Sequence, residues 1–198
     1  VGVHMDRIVT KRLRGDESFV GMSKSILDYW SWAHSDIASN AERGKLAEFL
    51  VATALDADRD CRVEWDAVDV VTRDGIKIEV KSASYLQTWK QRKPSVIQFG
   101  IAPKLSWHSE NNVYSTAKTR EADVYVFCLF ASKDYAQANP MDITQWKFYV
   151  LSTRMLNNRL PNQKTVRLSV LEKLVPNATD YVSLADAVRA CIREDQDT

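Results

Sequence analysis

The sequence has too few cysteines, too little net charge and too little uninterrupted apolar chain to support several broad classes of protein. Cys61, Cys128 and Cys191 are its only cysteines, odd in number and widely spaced. They form neither a disulfide framework nor a zinc pattern, so the expected compartment is the reducing cytoplasm. The formal net charge is only +1. A global electrostatic footprint for nucleic acid is therefore absent, and any such signal must be local. The longest apolar runs fall far short of a bilayer span, and the N-terminal stretch lacks the pattern of a signal peptide, so no membrane association is expected. Internal repeats, low-complexity tracts and linkers are missing too, apart from a polar tail from about Glu194. What is there is a chain of 198 residues, 45% apolar and 27% charged, the balance of a globular domain with a sizeable core. Val1 to His4, ahead of Met5, read as a non-native remnant, which leaves 5–198 as a single domain.

The most informative stretch is DAVDVVTRDGIKIEVKSAS, residues 66–84. Asp74-Gly75 reads as the turn of a β-hairpin between two Val- and Ile-rich runs. A two-residue turn would pair Val70 with Glu79 and Asp69 with Val80, mixing polar and apolar residues on both faces. A three-residue loop, Arg73-Asp74-Gly75, with Gly75 in the left-handed conformation, pairs Thr72 with Ile76, Val70 with Ile78 and Val68 with Val80. That register makes one apolar face, and a one-residue slip would swap the faces, so it is the expected one. The other face then carries Asp69 opposite Glu79, with Lys81 two residues beyond Glu79. Two facing carboxylates disfavour each other's ionisation unless a cation lies between them. Oxygen ligands at close range suit Mg²⁺, which takes one or two carboxylates together with water and phosphate oxygens. The competing reading is an amphipathic hairpin whose polar face is solvated, with Lys77 and Lys81 neutralising Asp69 and Glu79.

The remaining elements follow from periodicity and caps. Ile26, Leu27, Trp30 and Ala33 recur at helical spacing over residues 23–34, and Tyr29, Trp30 and Trp32 are expected to pack rather than to stack on bases. Ser39-Asn40-Ala41-Glu42 is a capping box that opens a helix to about Leu55, apolar over most of its circumference and expected to be largely buried. Glu48 sits inside that apolar run, where a charge is costly without a partner; the alternative is that it occupies a narrow wet edge. Glu42 is explained by its cap. Val96 to Ile101 alternates as a strand, Val124 to Phe130 reads as a strand buried on both faces, and Trp146 to Leu151 as a further strand. Ser152 to Leu156 reads as a short helical turn and Val166 to Leu168 as a small strand, and Ser169 and Ser183 are expected to cap two late helices. The whole is α/β: a mixed central sheet flanked by helices on both faces. Between residues 81 and 120 there are seven basic residues, Lys81, Lys90, Arg92, Lys93, Lys104, Lys118 and Arg120, against Glu110 alone. Tyr85, Trp89, Trp107, His108 and Asn112 are interleaved with them. This is the composition of a surface that tracks phosphates, although a solvated loop region with scattered lysines has it as well.

The hairpin resembles the core motif of the PD-(D/E)XK nucleases, the restriction-endonuclease-like superfamily. Asp69 matches the motif Asp, and Glu79-Val80-Lys81 matches (D/E)xK; Val68 stands where the motif is written with Pro. ERGKLAEFLVATAL, residues 42–55, resembles the first core helix, with Glu48 at the position that points to the metal site. The resemblance implies that Asp69 and Glu79, the Val80 carbonyl and Glu48 hold Mg²⁺, with Mn²⁺ as the alternative. It implies that Lys81 orients or helps deprotonate the attacking water and stabilises charge on the phosphate. Gln98 and Asp66 are secondary candidates: Gln98 as the polar residue of its strand, Asp66 as a nearby acid of opposite strand parity to Asp69. Lys90, Arg92, Lys93, Lys104, Lys118 and Arg120 are the expected DNA contacts. The implied activity is hydrolysis of DNA phosphodiesters, in restriction, repair or recombination. The implied partners are DNA, and a second copy of the chain or a companion protein of a restriction, repair or transposition system. The alternative is a non-catalytic nucleic-acid-binding module on the same fold.

Overall fold

In the computed structural model, which describes residues 11–62, 67–105, 107–108 and 113–196, the apolar run Val124–Phe130 is the axis around which the rest is layered. In chain order the elements are α1 (Ile26–His34), α2 (Asn40–Ala54), β1 (Val70–Val71), β2 (Lys77–Ser84), β3 (Gln98–Gly100), β4 (Trp107–His108), β5 (Val113–Tyr114), β6 (Val124–Phe130), β7 (Trp146–Ser152), α3 (Thr153–Arg159), β8 (Thr165–Arg167), α4 (Leu168–Leu174) and α5 (Leu184–Gln196). The central sheet has the order β1-β2-β6-β7. β2 and β6 are parallel, with Glu79 beside Tyr125 and Lys81 beside Phe127. The two outer pairings are antiparallel. β3 pairs with β8, and β4 with β5, in two small separate ladders.

All seven residues of β6 are buried, as a strand covered on both faces requires. Val124, Val126, Cys128 and Phe130 meet Ala47 and Val51 of α2 and Leu184 and Val188 of α5. Tyr125, Phe127 and Leu129 meet Phe99, Leu156 of α3, Val166 and Leu171 of α4. Helices therefore lie on both faces of a mixed sheet, the architecture that the sequence implied. Each fully buried Val, Leu or Phe in such layers contributes about 1.5–3 kcal/mol relative to exposure. The two clusters hold β2 between them, with Ile78 and Val80 facing α2 and Ala83 facing Phe127.

Four local expectations need correction. No residue of α1 is buried, and Trp32 is 84% exposed. Its Ser25–Asp28 capping box is complete, so the helix is fixed by its cap while Tyr29 and Trp32 stay open to solvent and Trp30 is half-buried. In α2 only Arg43, Ala47 and Val51 are buried, and Phe49 is exposed; the helix offers one stripe to the sheet and not most of its circumference. Ser39 accepts the Glu42 N–H, whereas the Glu42 carboxylate goes to Lys45 at 2.8 Å and His34 at 3.1 Å. α4 begins at Leu168 with Arg167 at its N-cap and no side-chain cap bond, so Ser169 lies inside the helix.

Candidate active site

The β1–β2 hairpin has the register that its apolar pattern dictates. Val70 stands opposite Ile78 and Val71 opposite Lys77, Gly75 has φ +86°, and its N–H closes the turn on the Thr72 carbonyl at 3.0 Å. The expected continuation to Val68 opposite Val80 does not form. The Asp69 N–H, which an unbroken ladder would turn away from β2, donates to the Ile78 carbonyl at 3.1 Å. That is a β-bulge. It flips Val68 into the cluster on the Phe127 side, while Val70 remains on the α2 side.

The bulge creates the site. With the ladder ended, the Val80 N–H has no main-chain partner on that edge, and the Asp69 carboxylate accepts it at 2.7 Å. The N–H and C=O of one strand residue point the same way, so the Val80 carbonyl faces the same edge. Burial, then the nearby Glu79 charge, push the Asp69 carboxyl up to about 6; the Val80 N–H and Lys81 oppose the rise, and Glu48 adds to it. Asp69 is thus a partly buried acid standing between two others. Its charge is felt on both sides of the sheet: burial raises the Cys128 thiol on the α2 side and Asp69 adds to it, and burial, then Glu79, raise the Tyr125 hydroxyl on the other, with a smaller addition from Asp69.

Glu79 is 3% exposed, although it lies at the centre of the polar face. Two ammonium groups compensate it: Lys81 Nζ at 2.6 Å and Lys104 Nζ at 3.0 Å. Lys81 and Glu79 are two apart on one strand and so share a face. Glu48, on α2, is paired through both carboxylate oxygens with the Arg62 guanidinium. Glu48 and Asp69 line one cleft of about 580 Å³, together with Trp30, Phe49, Arg12 and Lys45. Glu48 therefore faces the hairpin side of α2, with a cation between it and free carboxylate behaviour. Among the described residues no three His, Cys, Asp or Glu side chains form a ready cage for a metal. Asp66 lies outside the described residues. Gln98 is exposed on β3 opposite Arg167, with no hydrogen bond to Asp69, Glu79 or Lys81.

The basic residues divide. Lys90, Arg92, Lys93 and Lys118 are exposed, and among the described residues none of them is ion-paired. The first three ride on a loop directly after β2 that is closed by the Ser95 N–H on the Tyr85 carbonyl at 2.8 Å. Gln87 and Gln91 brace it from within: Gln87 bonds the Ser84 carbonyl, and Gln91 bonds the Ser95 hydroxyl and the Gln87 N–H. Neither glutamine carries a motif that would have marked it in the sequence. Lys104 is turned inward to Glu79. Arg120 departs from the expected phosphate-contacting role: it is buried, and its guanidinium donates to the carbonyls of Ile101, Leu160 and Gln163 and to Asn157 Oδ1. It ties strands to loops in the interior, and its guanidinium is engaged by the protein's own carbonyls.

The family model of bacteriophage T4 endonuclease IV matches residues 22–169. That span runs from just before α1 into α4 and contains Glu48, Asp69, Glu79, Lys81 and Lys104. No curated protein matches the chain. Since the match extends over well more than half of the sequence, the chain belongs to the bacteriophage T4 endonuclease IV family.

Proposed function

We propose that this chain is an endonuclease that hydrolyses DNA phosphodiesters with the help of a divalent cation, and that its site is of the PD-(D/E)XK kind. The observation that carries this reading is the gathering of Asp69, held on the Val80 N–H at 2.7 Å, with the buried Glu79 and its partner Lys81, while Asp69 has no ion-pair partner among the described residues; burial, then the Glu79 charge, raise its carboxyl to about 6. A buried acid so poorly compensated is costly unless a cation visits it. The donor set fits Mg²⁺ or Mn²⁺: two carboxylates, Asp69 and Glu79, and the Val80 carbonyl at one sheet edge. Mg²⁺ does not need a protein cage of three acids, because it keeps waters and takes substrate phosphate oxygens. When bound, such an ion lowers the pKa of a coordinated water and neutralises charge developing on phosphorus.

The chain's own residues have separable roles. Asp69, anchored by the Val80 N–H, and Glu79 hold the cation. Lys81, paired with Glu79 at 2.6 Å, would orient the attacking water and stabilise the anionic phosphate in an in-line displacement. Glu48 completes the acidic wall of the cleft, with Arg62 limiting its repulsion of the substrate. Lys90, Arg92, Lys93 and Lys118 supply sequence-independent contacts to the DNA backbone.

The test is cleavage of a DNA substrate in Mg²⁺, Mn²⁺ or EDTA, together with Asp69→Asn. Activity in either cation, loss in EDTA and loss in the variant support the reading; cleavage that persists in EDTA overturns it. The pairing of Glu79 with two lysines and of Glu48 with Arg62 also favours a second reading, a DNA-binding module with a vestigial site. Calorimetry separates the two: the module binds DNA but no divalent cation.

A further inference from the structure

Lys104 lies 25 residues beyond Glu79, outside the hairpin that carries the recognised motif. Its ammonium nevertheless sits 3.0 and 3.3 Å from the two Glu79 carboxylate oxygens. The contact is not a chance excursion of a loose surface chain. The Lys104 N–H donates to the Thr119 carbonyl and the Thr119 N–H donates to the Lys104 carbonyl, each at 3.0 Å. This closed pair of bonds fixes the backbone from which the side chain springs. Arg120, the next residue along the facing segment, is buried and holds the carbonyls of Ile101, Leu160 and Gln163. Both sides of the bridge are therefore anchored in the interior, while the Lys104 side chain stays 47% exposed and open to a ligand.

The charges explain why a second lysine is present. Asp69 and Glu79 bring two negative charges, and Lys81 and Lys104 bring two positive ones. With both acids ionised the resting site is neutral. A divalent cation leaves it doubly positive, which matches the double negative charge of the five-coordinate phosphorus formed when hydroxide adds to a phosphodiester. With Lys81 alone the balance fails by one charge at both stages. We propose that Lys104 is a second active-site lysine, which neutralises Glu79 in the resting site and binds the DNA phosphodiester once that carboxylate turns to a divalent cation. This rests on the cation-dependent reading given above and adds to it a residue that the motif does not contain.

The proposal makes two effects of opposite sign. Removing the charge should strengthen cation binding without DNA, because Glu79 loses a competitor, and should weaken turnover, because the phosphate loses a contact. A merely structural lysine would weaken both. For a half-exposed charge the effect on cation affinity is roughly tenfold after solvent screening. The experiment uses the full chain as wild type, Lys104→Gln and Lys104→Arg, with Ca²⁺ titrated calorimetrically without DNA and cleavage kinetics measured in Mg²⁺. Lys104→Gln should bind Ca²⁺ about tenfold more tightly and lose about tenfold or more in kcat/KM. Lys104→Arg, which keeps the charge, should recover most of both. Thermal unfolding of Lys104→Gln in EDTA should fall below wild type, since buried Glu79 keeps only Lys81, and Lys104→Arg should restore it. Unchanged or weaker Ca²⁺ binding by Lys104→Gln, or a wild-type kcat/KM, overturns the role of Lys104 while leaving the cation-dependent reading intact. A wild type that neither binds Ca²⁺ nor cleaves overturns both.

Discussion

Replacing Asp69 with Asn should stabilise the cation-free protein near neutral pH, although Asp69 is the residue on which the proposed activity most depends. The carboxyl has an ordinary value of 3.8 and rises to about 6 in the fold. A group whose folded value is raised binds its proton more tightly when folded. Its contribution to stability is therefore fully present below pH 3.8 and is lost as pH rises through about 6. Above that point the ionised, underpaired carboxylate costs up to about 3 kcal/mol. Asn has the same shape, and its carbonyl oxygen can still accept the Val80 N–H that Asp69 accepts at 2.7 Å, so the substitution removes the charge and little else. Unfolding in EDTA should show Asp69→Asn and wild type alike near pH 4 and increasingly separated toward pH 7. For a chain of this length the separation is about 6–12 °C in Tm. Saturating Ca²⁺ should close the gap by stabilising wild type alone, since binding to the folded state adds RT ln(1 + [L]/Kd). A Tm that falls on Asp69→Asn, or a gap constant between pH 4 and 7, would refute the account of Asp69 as an under-compensated acid.

Other substitutions separate chemistry from binding and from folding. Asp69→Ala, Glu79→Ala and Lys81→Ala should each abolish cleavage in Mg²⁺ while circular dichroism and DNA affinity persist; retained cleavage in any of the three would remove that residue from the mechanism. Neutralising Lys90, Arg92 and Lys93 together should weaken binding to all DNA sequences and reduce the salt slope by about two to three, as measured by fluorescence anisotropy across a salt series. Arg120→Ala should leave that slope alone and cost roughly 3 kcal/mol or more in urea unfolding, because it strands several buried carbonyls at once.

How far the sequence could be read depended on whether a residue's role was set by local pattern or by distant packing. The register of β1 and β2 was legible because the alternation Val70, Thr72, Ile76, Ile78 leaves one apolar solution, and β6 was legible because seven consecutive apolar residues tolerate no wet face. Glu79 and Lys81 share a face by the period of two along β2, whereas Asp69 joins them through a bulge that the alternation does not encode. Arg120 was misplaced because composition counts charges without saying which way they face: in the sequence it is one more cation in a basic stretch, and in the fold it is an interior brace. Arg62 as partner to Glu48, and Lys104 as partner to Glu79, arise from chain crossings that no periodicity encodes. The aromatic side chains of α1 were expected to pack because they recur at helical spacing; Trp30 is half-buried, while Tyr29 and Trp32 stay exposed, so spacing predicts a helix better than it predicts what covers it.

The bulge at Asp69 couples the packing of one core layer to the acidity of the site. Had the ladder run on to Val68 opposite Val80, the Val80 N–H and carbonyl would both have been bonded to β1, and Asp69 would have stood out from the sheet as a solvated acid of ordinary strength. The break instead turns the Asp69 carboxylate onto the Val80 N–H and sends Val68 into the opposite core layer. It also leaves the Val80 carbonyl facing the same edge. The burial of Val68 thereby helps to hold an acid where its charge is poorly compensated, and the packing of the Phe127 layer opposes relaxation of the loop back to a regular ladder. Val68→Ser removes that packing without adding a charge and should let the segment relax, lowering the Asp69 carboxyl toward its ordinary value. Carbon-detected NMR titration of the Asp69 carboxyl in wild type and variant measures this directly. An Asp69 that still titrates near 6 in a folded Val68→Ser protein would show that the bulge is maintained by the turn and the Val80 bond alone.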